Sequence, residues 1–194
     1  MTGESQVRKA PELRDPQRPL NAPGLFVGMA IFGATAIAIL VYTMVRTPQI
    51  PAVISLDYTK VAGSVLVVDE RQADARALEA ALTRRQPGFD LTVPDLSAKG
   101  FTLEGGSVHS VVGRPGIVAI YRNGLQDLVV WHQFAGTTAD LPETTDVRDE
   151  HGRRYFVHRK STNVLVFWQD GFRVDVLTSS LPAEQVVALA FSAS

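Results

Sequence analysis

The chain has 194 residues and no cysteine. That excludes disulfides, thiol catalysis and cysteine-based zinc sites together. It also suits an oxidising compartment, where a stray thiol is a liability. The formal net charge is −1, so no basic field points to nucleic acid. Catalytic signatures are missing too. There is no G-x-S-x-G elbow, no phosphate-cradling glycine loop and no dinucleotide fingerprint. The four histidines, His109, His132, His151 and His158, are not spaced at i,i+2 or i,i+4 with one another. They read as isolated surface or satisfied residues, and no metal, cofactor or enzymatic activity is expected.

What the sequence does contain is one long apolar stretch. Gly24–Val45 carries no charged side chain over 22 residues. As a helix it would reach about 33 Å, enough for a bilayer core of about 30 Å. Arg8, Lys9, Arg14 and Arg18 precede it, while only Arg46 and the more distant Lys60 follow. Basic residues stay on the cytoplasmic side, so the expected orientation is N-terminus in and C-terminal domain out. The stretch is too long for a signal peptide and is followed by Arg46, Thr47 and Pro48, which points to an uncleaved anchor. Within it, Gly24 and Gly28 share a four-residue spacing, as do Ala30, Ala34 and Ala38. Small residues so spaced let helices approach closely, which makes them candidate helix-packing positions.

The expected organisation is a disordered cytoplasmic tail at 1–23, a transmembrane helix at 24–46, a linker at 47–60 and an outer domain at 61–194. The tail is polar, mixes its charges and contains Pro11, Pro16 and Pro19. Pro48 and Pro51 suggest that the linker is stiff and extended.

In the outer domain, Ser64–Asp69 is a short valine-rich run with the look of a buried strand. Arg71–Gln86 shows Ala73, Ala77, Ala80 and Ala81 on helical spacing with Leu78 and Leu82 beside them, ended by Pro87 and Gly88, and Phe89–Val93 follows as a strand. A strand with Asp69 and Glu70 at its end also resembles the opening of a response-regulator receiver domain. That resemblance stops after about 30 residues, because hairpin signals replace the later parallel strands. Gly105-Gly106, Gly113–Gly116, Asn123-Gly124 and Asp170-Gly171 mark turns between short strands. Phe172, Val174 and Val176 alternate with Arg173 and Asp175 as in a half-buried strand, and Val164–Trp168 is apolar on both faces. Trp131 and Trp168 read as core. Pro182–Phe191 closes the chain as a helix that can cover the sheet. The expected class is α+β: an N-terminal transmembrane helix, then an antiparallel β-meander domain with flanking helices. Between the hairpins, Ala135–Gly152 forms an acidic loop with Asp140, Glu143, Asp146, Asp149 and Glu150, a candidate surface for a basic partner.

From Val93 onward, the pattern P-D-L-x-x-x-G-F-x-L-x-G-G is followed by IVAIYR, a W-x-D-G-F hairpin and a closing LPAEQVVALA helix. This resembles the extracytoplasmic domain of bacterial transmembrane anti-sigma factors. Pro94, Asp95, Leu96, Gly100, Phe101, Leu103, Gly105, Gly106, Tyr121, Trp168, Asp170, Gly171, Leu181 and Pro182 carry the likeness, over roughly the last hundred residues. The resemblance implies an inner-membrane regulatory protein that acts by contact with membrane or periplasmic partners. A sigma factor is a doubtful partner, because the tail of about 23 residues lacks the family's cytoplasmic His-x3-Cys-x2-Cys domain. The alternative expectation is an accessory or assembly subunit of a larger inner-membrane complex.

Overall fold

A computed structural model of the chain describes residues 50–66, 68–137, 139 and 141–193. The apolar stretch Gly24–Val45 and the tail before it lie outside these residues. Among the described residues no helix is long and apolar enough to cross a membrane.

The first described element overturns an expectation. Ile50–Ala62, read as mostly linker, is a helix, α1. Pro51 falls in its first turn, where a missing N–H leaves no intrahelical bond unmade. Beyond it, Ile50, Ile54, Asp57, Tyr58 and Val61 form one buried stripe at helical spacing. The second helix, α2 (Ala75–Arg85), starts where Asp74 Oδ1 accepts the Ala77 N–H at 2.7 Å. It buries Leu78, Ala81 and Leu82.

Among the described residues, the expected strands at Ser64–Asp69 and Phe89–Val93 do not form. Just after the first, Glu70 makes an isolated bridge to Gly106. In the second, Leu91 and Val93 are buried, but backbone N–H groups bond to side chains instead of a ladder: Thr92 to Gln133 Oε1 at 2.9 Å and Val93 to Glu79 Oε2 at 3.1 Å.

Seven strands follow: β1 (Phe101–Val111), β2 (Arg114–Asn123), β3 (Leu128–Ala135), β4 (Val147–Glu150), β5 (Arg153–Lys160), β6 (Asn163–Asp170) and β7 (Arg173–Ser179). Helix α3 (Ala183–Ala193) comes last. The sheet is antiparallel throughout, in the order β1-β2-β3-β7-β6-β5-β4. It is therefore two runs of consecutive strands joined at β3 and β7, and not a single meander.

The turns differ from expectation in instructive ways. Gly105-Gly106 is no turn but lies inside β1, at a bulge. Gly105 has φ +144, and a Cβ there would collide with the Glu70 carbonyl oxygen. The β1–β2 turn is Val112-Gly113, with φ +52 and +77, so Pro115 and Gly116 belong to β2. At the next hairpin Asn123 is not left-handed. Its Oδ1 accepts the N–H groups of Leu125 and Asp127, both at 2.9 Å, and Gln126 takes the positive φ. At the β6–β7 hairpin Asp170 pairs with Arg173, which closes the turn on Gly171 and Phe172. Phe172 therefore projects into solvent, 89% exposed, and is not part of the core.

Both sheet faces are covered. One packs under α2 and α3 around Trp131, Trp168, Tyr155, Leu78 and Val186. The other packs under α1, with Ile54, Phe134, Phe167 and Val176 in one cluster and Tyr58, Val118 and Val130 in a second. This double cover explains why Asp175, expected to face solvent, is 2% exposed.

Candidate metal centre

The charged residue in the stripe of α1 is Asp57, which is buried against the sheet with its side chain 3% exposed. Helical spacing leaves it no alternative, since Ile54, Tyr58 and Val61 fix which face of α1 meets the strands. Beneath it are two histidines. His109 is on β1 and His132 on β3, on either side of β2. The residues between them on that face of β2 are Gly116, paired with His109, and Val118, paired with His132. Gly116 offers no side chain, and a Cβ there would press on Phe134 Cβ and the backbone oxygens of Gln133 and His109.

Asp57 Oδ2 lies 2.8 Å from His109 Nε2 and 3.6 Å from His132 Nε2. The three ligand atoms are all within 4.8 Å of one another. The rings meet edge to face, with centroids 5.8 Å apart. Lys60 Nζ approaches the other carboxylate oxygen, Oδ1, at 3.4 Å. His132 is completely buried, and neither of its ring nitrogens has a hydrogen-bond partner. His109 keeps its side chain 23% exposed.

The electrostatics follow from this placement. Burial pushes the Asp57 carboxyl up, but the hydrogen bond from His109 and the electrostatic pull of the two imidazoles beside it more than reverse this, holding it well below the usual carboxylate range. Of the two, His109 is within hydrogen-bond reach; at 3.6 Å His132 is outside it. Burial pushes His132 down, against the pull of Asp57, so its ring is neutral at neutral pH. The site thus presents an ionised carboxylate and a neutral imidazole, the forms in which these groups bind metals.

The histidines were read as isolated, and their sequence spacing gave no other indication. The fold brings two of them together. His151 is exposed, 3.7 Å from Glu150, and His158 lies on β5, away from the cluster. Signals for the site did exist: a lone Asp in the stripe of α1, and a His within each of the apolar strand runs SVHSVV and VVWHQF.

The acidic stretch Ala135–Gly152 looks different once folded. Asp149 and Glu150 lie on β4, so part of the expected loop is an edge strand. Asp146 is held at 2.8 Å by Arg148 Nε and at 3.1 Å by Arg159 Nη2, and Asp149 lies 3.5 Å from Arg154 Nε. Hydrogen bonding from Arg148 lowers the Asp146 carboxyl. Glu143 lines a shallow pocket with His158 and Arg159. The chain's own arginines have taken up much of this charge. Asp140, and the candidate helix-packing residues Gly24, Gly28, Ala30, Ala34 and Ala38, lie outside the described residues.

The residues that carry the anti-sigma resemblance have structural positions. Leu96, Phe101 and Leu103 are buried, Gly100 has φ +81, and the buried Tyr121 hydroxyl donates to the Pro94 carbonyl at 2.8 Å.

No protein-family model matches the chain, and no curated protein matches it. Among solved structures, it is similar to a crystal structure described as a GTP binding regulator from Thermotoga maritima. The identity is 14% and the TM-score 0.36, over 49% of this chain and 79% of the other, a likeness too slight to carry an argument about function.

Proposed function

We propose that this chain is a single-pass protein of the bacterial inner membrane. Gly24–Val45 is its anchor, the N-terminal tail is cytoplasmic, and the outer domain acts by contact with other membrane or periplasmic proteins, without catalysis of its own. The length of the uncharged stretch, the Lys/Arg asymmetry around it and the resemblance to anti-sigma extracytoplasmic domains support this reading. The observation that carries it is the position of α1. The helix begins five residues after Val45 and buries its stripe in the domain. The segment next to the apolar stretch is thus an integral part of the fold, as contact-based signalling or assembly through an anchor requires.

The test is extraction in mild detergent, affinity capture and identification of what co-purifies, for the parent and for Ala34→Leu. A sigma factor or its regulator supports an anti-sigma-like role. A stoichiometric set of membrane subunits, lost in Ala34→Leu, supports the accessory-subunit role. Recovery of the bare chain alone overturns the contact reading. A reporter that works only outside the cytoplasm, fused after Ser194, checks the topology and should be active.

A further inference from the structure

We propose that Asp57, His109 and His132 bind one divalent transition-metal ion of the zinc class, and that this ion fastens α1 to the sheet. The inference concerns the folded domain and does not depend on the membrane reading.

Geometry carries it. Bonds of about 2.0–2.1 Å to a tetrahedral ion place neighbouring ligand atoms about 3.3–3.5 Å apart. The two contacts of Asp57 Oδ2, at 2.8 and 3.6 Å, straddle that spacing. An ion entering the triangle needs the Asp57–His109 contact to open by about half an ångström. His109 offers Nε2 to the ion in the tautomer that carries its ring proton on Nδ1. The three ligands come from α1, β1 and β3, so a single ion would tie together elements distant in sequence.

A second, independent observation is the state of His132. A fully buried imidazole with both nitrogens unpartnered is costly to leave so. An ion at Nε2 would satisfy the atom that faces Asp57.

The donor set selects the ion class. Two imidazoles and one carboxylate suit Zn2+, Co2+ or Fe2+, whereas Mg2+ and Ca2+ prefer all-oxygen sites. Lys60 covers the carboxylate on the Oδ1 side, and His109 is the ligand that solvent reaches. With three protein ligands, the remaining position of the ion is left for water.

The test uses the full chain, purified without a histidine tag and stripped with a chelator. Co2+ is titrated in while the visible spectrum is followed, and Zn2+ is added during thermal unfolding. The expected result is one equivalent of Co2+ with the intense visible bands of a tetrahedral site, and a melting midpoint that climbs with Zn2+ concentration. Asp57→Asn, nearly the same shape, and His109→Ala, at the edge of the site, should each abolish both signals while the far-ultraviolet dichroism stays that of the parent. His151→Ala should retain both. A folded parent that takes up no Co2+ overturns the proposal. So does binding that survives in both Asp57→Asn and His109→Ala, or that disappears in His151→Ala. If His109→Ala fails to fold, His109→Gln replaces it under the same criteria.

Discussion

Asp175 on β7 is a carboxylate with little access to water. Burial pushes its pKa up to about 6, against the 2.6 Å hydrogen bond from Gln133 and the nearby Arg173 guanidinium. In the unfolded chain it titrates near 3.8. Between those values the folded state holds the proton more tightly, so this residue's contribution to stability falls as pH rises from about 4 to about 6. Asp175→Asn mimics the protonated form. Its stability relative to the parent should improve across that window, measured by urea unfolding at a series of pH values. A difference that is flat or runs the other way would show that Asp175 is ionised at no cost. A second residue-scale contrast concerns two aromatics close together in the sequence. Trp168 is 1% exposed, with its ring 5.0 Å from that of Trp131 and 5.4 Å from that of Tyr155. Trp168→Ala should cost about 3–5 kcal/mol. Phe172→Ala, at the exposed turn, should stay within about 0.5 kcal/mol. Equal costs would mean that the β6–β7 register is misplaced. Sequence alternation put both in the core, because the turn expected at Asp170-Gly171 falls one residue later, on Gly171 and Phe172, and the alternation of β7 runs back into it.

At the scale of elements, α1 makes the strongest claim. If it belongs to the domain, Ile54→Ala should destabilise by about 2–5 kcal/mol, while Leu56→Ala, 54% exposed, should be nearly neutral. Chemical denaturation of both variants checks this, and an unchanged midpoint in Ile54→Ala would return α1 to the status of a linker. The helix was hard to see in the sequence because Pro51 stands in its first turn, where proline is as much at home as in a linker. The later hairpins were legible because glycine marks them, yet the residue that takes the positive φ was not always the glycine. Gly105 is the opposite case, a glycine required within a strand. Gly105→Ala should break the bridge between Glu70 and Gly106 and speed amide exchange at both, without abolishing the sheet. Helix α3 and the end of α2 lay close to their expected bounds, since apolar spacing and a Pro-Gly stop are local signals, whereas α2 starts four residues later than expected, at the Asp74 cap. The candidate metal centre was not local. Asp57 and His109 are 52 residues apart, and only strand order and a helix crossing bring them together.

For the whole molecule, the order of the strands matters more than their number. The last strand in sequence, β7, lies at the middle of the sheet, between β3 and β6. The edges are β1 and the four-residue β4, whose Arg148 reaches across to Glu184 of α3 at 3.0 Å. That pair is exposed, so Arg148→Ala should change stability by less than about 1 kcal/mol, and added salt should shrink even that. An effect that persists undiminished in high salt would mean that the arginine acts through packing. The central position of β7 also has a consequence for the order in which the domain can be built. As the chain is made from its N-terminus, β1, β2 and β3 can pair early, but the free side of β3 has no neighbour until residues 173–179 arrive. Until then β3 presents open backbone donors and acceptors, the kind of edge that recruits other chains. A ribosome stalled before residue 173 would therefore hold an unfinished sheet with a sticky flank, and its fate would depend on whatever chaperone shields that flank until the closing strand is released.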